Sequence, residues 1–77
     1  MSVRVIASGG LDIYDSPNGN IKGHYDKGNV IRTLNLNNKK PADDGRVYAP
    51  YTVGGHRFMQ YWIAVEDENG YATVEKI

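Results

Sequence analysis

Two histidines, two short runs of carboxylates and six tyrosines are the groups of this 77-residue chain with chemistry to offer. His24 and His56 are the candidate bases or metal ligands, but neither belongs to a ligand spacing such as His-Glu-x-x-His. A serine nucleophile needs a base and a third group to orient that base, and no Gly-x-Ser-x-Gly elbow is present. Asp43-Asp44 and Glu66-Asp67-Glu68 have the composition of paired carboxylates for acid–base work. They fall in the two most polar stretches, where a solvated face is the better reading. The chain contains no cysteine, which excludes thiolate metal sites and disulfides. This pattern points away from catalysis and toward binding, with no cofactor.

The aromatic residues carry that reading. Six tyrosines, one tryptophan and one phenylalanine are many large rings for so short a chain. Some must be core. Trp62, in mid-strand with Ile63 and Val65, is the strongest core candidate, while Phe58 and Tyr61 fall on alternate faces of the same strand. Tyr48 and Tyr51 flank Pro50. Three residues apart, they belong on opposite faces of a regular strand, unless a bulge at Pro50 realigns them. Tyr14 and Tyr25 flank a turn-rich loop. An exposed tyrosine cluster suits a glycan or a short peptide, because the ring packs on apolar faces while the hydroxyl forms hydrogen bonds at low entropic cost. Arg46 and Arg57 are either carboxylate-binding groups or exposed strand-end charges. His56, after Gly54-Gly55, reads as a turn residue, and Lys39-Lys40 as a solvated loop.

The elements that must position these groups are strands. Val3, Val5 and Ala7 alternate with Arg4, Ile6 and Ser8, and Gly9-Gly10 ends the segment. Residues 11–14 alternate again before Asp15-Ser16-Pro17-Asn18-Gly19-Asn20, six positions filled with turn formers. Residues 21–25 resume an extended segment, closed by Asp26-Lys27-Gly28. Residues 29–37 form the next strand candidate, and residues 37–45 the longest loop. Residues 46–53 follow as an edge or bulged strand because of Pro50. Gly54-Gly55 then turns the chain into residues 57–65, the longest strand. The ending reads as a hairpin: residues 62–65 and 71–74 joined by Asn69-Gly70, a pair that tolerates the positive φ of a tight turn. The charged run before that pair belongs on the exposed bend. No apolar pattern at helical spacing persists for three turns. The fold class is therefore all-β, a small barrel or sandwich, and at this length a barrel of five to seven short antiparallel strands is the better fit.

Composition bounds the partners. Seventy-seven residues make a single domain, 1–77, with one modest core. Nine basic and nine acidic residues cancel to zero net charge, without the basic excess that neutralises nucleic-acid phosphates. No apolar run is long enough to span a membrane, and residues 1–8 lack the apolar core of a signal peptide.

In their order along the chain, three segments resemble the bacterial SH3 domains. Leu11-Asp12-Ile13-Tyr14-Asp15-Ser16-Pro17 is similar to the family's first strand and turn. Gly23-His24-Tyr25-Asp26-Lys27-Gly28-Asn29-Val30-Ile31 resembles its Lys-Gly turn before an apolar pair. Residues 62–74 resemble its closing hairpin, with Tyr71 where the family often has tryptophan. Between Asn38 and Tyr61 the chain is longer than the simplest members. The extra stretch, from Asp44-Gly45-Arg46-Val47-Tyr48 to Gly54-Gly55-His56-Arg57-Phe58, is similar to one in the wall-targeting SH3 domains of phage lysins and bacteriocins. The aromatic N-terminal segment common in those lysin domains has no counterpart here.

The resemblance implies an SH3-like barrel acting as the non-catalytic, peptidoglycan-binding module of a phage endolysin against a Gram-positive host. Such a module anchors a separate catalytic domain, for example an amidase, at its insoluble substrate. It implies a ligand site formed by Tyr14, Asp15, Asn18, Tyr25, Arg46, Tyr48, Tyr51 and Arg57, with the 15–20 loop bordering the groove. The arginines, together with His56, would meet stem-peptide carboxylates. The protein would be made in the host cytoplasm and reach the wall through a holin pore. Self-association, and assembly with a full-length lysin from an internal start, would add stability and avidity. The alternative is an intracellular adaptor or inhibitor that uses the same barrel against a host protein. A structural component of the phage particle is a third possibility.

Overall fold

Apolar residues two apart line one face of a strand, and a second sheet packed against that face buries them. The computed structural model, which describes residues 1–52 and 60–77, forms two antiparallel sheets that do this. Its strands are β1 (Val3–Val5), β2 (Leu11–Tyr14), β3 (Ile21–Tyr25), β4 (Val30–Ile31), β5 (Lys40–Pro41), β6 (Val47–Thr52), β7 (Gln60–Glu66) and β8 (Val74–Lys76). Six have three or more residues; β4 and β5 are two-residue pairings. One sheet has the order β4-β1-β8 and the other β3-β2-β7-β6-β5. The chain is all-β and barrel-like, as the alternation predicts.

The core lies between the sheets. Val3 and Val5 from β1, Ile31 from β4, Leu11 from β2, Ala49 and Tyr51 from β6, and Ile63 and Val65 from β7 form one buried cluster with Leu34. Burying each larger aliphatic side chain contributes roughly 1.5–3 kcal/mol, which is how strands this short hold together.

Four local expectations resolve differently. The strand predicted over 29–37 is only β4, because residues 36–38 turn as a 3₁₀ helix capped by the Asn35 side chain, which accepts from the Asn37 N–H at 3.0 Å. The loop predicted over 37–45 contributes β5, paired with the start of β6. Pro50 sits in β6 without a bulge; the register shift lies between Val47 and Tyr48 instead. The Pro50 carbonyl points away from β7 and accepts from the Asn35 N–H at 2.9 Å. The proline's missing N–H therefore faces the same way and removes no bond from the β6–β7 ladder.

The fourth difference is the C-terminal hairpin. Gly70 has φ 84°, but Asn69 does not take positive φ. The Asp67 carboxylate holds the turn by accepting from the N–H groups of Asn69 at 2.9 Å and Tyr71 at 3.0 Å. Of the charged run, Glu66 ends β7 and Asp67 is half-buried; only Glu68 is fully on the bend. After a single bridge from Ala72 to Glu66, the chain leaves β7, and β8 pairs with β1. Thr73 is the corner. Its hydroxyl donates to the Ala64 carbonyl at 2.5 Å and its N–H to the Val65 carbonyl, while its own carbonyl accepts from Ile6. A buried threonine thus joins the two sheets.

Candidate binding site

Strand parity sorts the aromatic residues into two groups. On β6, Tyr51 points inward and is 7% exposed, beside Tyr25 at 5.9 Å and Tyr61 at 6.3 Å between ring centroids. Burial, with the neighbouring Tyr25 phenol, pushes the Tyr51 phenol well above its ordinary range. Tyr48 points to the opposite face, as the three-residue spacing requires. There it meets Tyr14 edge-to-face at 5.4 Å.

Tyr14 and Pro50 are the cross-strand partners of Trp62, on either side of it. Trp62 is half-buried, and the Lys40 ammonium lies over its ring at 5.6 Å from the centroid. Tyr48 is fully covered and supports this surface without being part of it. Its hydroxyl donates to Asp44 at 2.5 Å. That bond holds the Asp44 carboxyl below its usual range, while burial and then Asp44 push the Tyr48 phenol far up.

Arg46 borders the platform. Its backbone N–H donates to Asp44 at 3.0 Å and its Nε to Glu68 at 3.3 Å. Beyond it opens a cavity of about 270 Å³, lined by Leu11, Ala64, Thr73, Asp67 and Glu68 as well as Arg46. Gly10 forms part of the wall with φ 77°; a Cβ there would fall 2.2 Å from the Tyr25 carbonyl oxygen, so only glycine fits. The site is an aromatic surface leading through one arginine into a mixed polar and apolar pocket.

The structure divides the sequence-derived site residues. Tyr14, Arg46 and Tyr48 come together. Tyr25 and Tyr51 lie on the inner side and pack against the core. Asp15 secures its loop by accepting from the Asn20 N–H at 2.9 Å, the bond chiefly responsible for lowering its carboxyl pKa. Asn18 is exposed at the loop tip with φ 55°. Arg57, with His56 and Phe58, lies outside the described residues.

Trp62, Lys40 and Asp44 join the site although the sequence reading gave them to core or solvated loop. Parity carried the signal for Trp62: its neighbours Ile63 and Tyr61 point inward, so Trp62 must point out. Nothing in the sequence placed Lys40 or Asp44, whose roles depend on β5 folding across β6. Elsewhere on the molecule, the His24 ring contacts the Asp12 carboxylate at 2.9 Å and Asp26 at 3.7 Å across an exposed strand pair. Comparisons with protein-family models, curated proteins and solved structures find no match.

Proposed function

We propose that this domain is a non-catalytic binding module for the peptidoglycan of a Gram-positive cell wall, of the kind that anchors a phage endolysin's separate catalytic domain. The observation that carries the reading is the pair Tyr14 and Trp62. Both are half-exposed, adjacent on the outer face of the sheet, and flanked by Lys40 and Arg46. Aromatic faces pack on sugar C–H surfaces or peptide backbone, and the flanking cations meet carboxylates. The order of the SH3-like segments supports the same assignment. Tethering needs affinity and slow release rather than chemistry. Self-association would raise avidity further, and β3, with Ile21 60% exposed, is an edge strand among the described residues and offers backbone groups for it.

The test is sedimentation of fluorescently labelled domain with purified walls from several Gram-positive genera. Binding to one genus at micromolar concentration or below, lost in Trp62→Ala, is the expected result. No binding to any wall by folded domain would overturn the proposal and favour the adaptor reading.

A further inference from the structure

A second cavity, of about 170 Å³, lies at the seam between the two sheets and shares no lining residue with the platform or its pocket. Its apolar walls are Val3, Leu36, Val65 and Val74; Lys39, Glu66, Lys76 and the exposed Ala72 line its mouth. Strand register explains Lys76. It pairs with Val3, on the inward-facing row with Val74, whereas Glu75 between them faces out and meets Arg4 at 3.3 Å. A lysine at the end of an inward row lays its stem on apolar surface and carries the ammonium to the opening. Lys39 is paired with Glu66 at 3.7 Å, and Lys76 has no ion pair among the described residues. The mouth therefore holds one compensated pair and one excess positive charge.

We propose that this cavity receives the C-terminal residue of a peptide with an aliphatic side chain. The size fits, since an apolar cavity of roughly 150 Å³ accommodates a six-carbon ring. The side chain fills the space between Val65 and Val74. The terminal carboxylate meets the Lys76 ammonium, and Glu66 is the acceptor at hand for the residue's amide N–H. An aliphatic group without a charge would gain nothing from Lys76, and an amine would be repelled by it. This assignment does not depend on what the aromatic platform binds.

The experiment is an amide-resolved NMR titration of the whole domain with N-acetyl-leucine and, separately, N-acetyl-leucinamide. The acid should give saturable shifts at Ala72, Val74 and Lys76 in the millimolar range, and bind about threefold more tightly than the amide, the worth of one exposed ion pair. Lys76→Gln, an exposed substitution that leaves the fold intact, should bring the acid down to the amide's affinity. Ala72→Leu, at the mouth, should block both ligands. Equal binding of acid and amide, undiminished binding of the acid by Lys76→Gln, shifts confined to Tyr14 and Trp62, or no saturable shift up to about 50 mM would each overturn the proposal. Wall sedimentation by the Lys76→Gln protein separates the two sites: it should be unchanged if the platform alone holds the wall.

Discussion

Tyr48 and Tyr51 sit on one strand, three residues apart, and both are buried, yet they belong to different parts of the molecule. Tyr51 is part of the interior, packed with Tyr25 and Tyr61 among the aliphatic residues. Tyr48 lies beneath an outer layer, where its ring supports Tyr14 and its hydroxyl fixes Asp44. The same residue type thus serves as packing on one face and as the foundation of a surface on the other. Burial alone does not distinguish these roles; the chemistry of the neighbours does.

The largest effect that tests this contrast is Tyr51→Ala. Removing a buried ring costs about 3–5 kcal/mol, comparable with the whole stability of a small domain, so urea denaturation should show a protein largely unfolded. A near-normal midpoint would mean that the inner face is not where the fold is held. Tyr14→Ala should do the opposite. Losing one edge-to-face contact costs roughly 0.5–1.5 kcal/mol of stability, while wall affinity should fall about tenfold or more, as for a central aromatic contact. Sedimentation and a thermal melt on the same preparation separate the two outcomes.

Alkali acts on both faces at once. Phenols in the unfolded chain ionise near pH 10, and those of Tyr48 and Tyr51 are held higher in the folded state. Their contribution is complete below pH 10 and is lost as pH rises past it. The urea midpoint should therefore fall above pH 10, and the fall should be shallower in the Tyr48→Phe, Tyr51→Phe double variant. Acid works with the reverse sign. Asp15 and Asp44 have lowered folded-state values, so their contribution is present above about pH 4 and declines as pH drops below it. Asp44→Asn should flatten that limb.

The smallest effect belongs to Lys40. An exposed cation over an aromatic face is worth about 0.5–1 kcal/mol, so Lys40→Ala should lower the melting temperature by only a few degrees. If wall binding falls more than stability does, the Lys40–Trp62 pair is part of the contact surface. If neither moves, Lys40 is solvated, as the sequence alone implied.

Much of the fold was legible because alternation is local. Residues 11–14 and 21–25 are the strands their pattern describes, and the opposite faces of Tyr48 and Tyr51 follow from spacing. The candidate site was legible only in part. Tyr14, Arg46 and Tyr48 do meet, but the grouping with Tyr25 and Tyr51 followed loop proximity in the chain rather than strand parity. Trp62 was assigned inward from its size and its apolar neighbours, although adjacent residues on a strand point to opposite faces.

By itself, then, the sequence determined the all-β class, most strand positions and the absence of thiol chemistry, since these depend on residue type and on a period of two. Only the tertiary structure decided which aromatic face turns outward, that β8 crosses at Thr73 to join β1, and that Lys76 overlooks an apolar seam. Those outcomes depend on pairing between residues more than seventy positions apart, as in Val3 with Lys76. Strand order sets such pairings, and no local pattern encodes it.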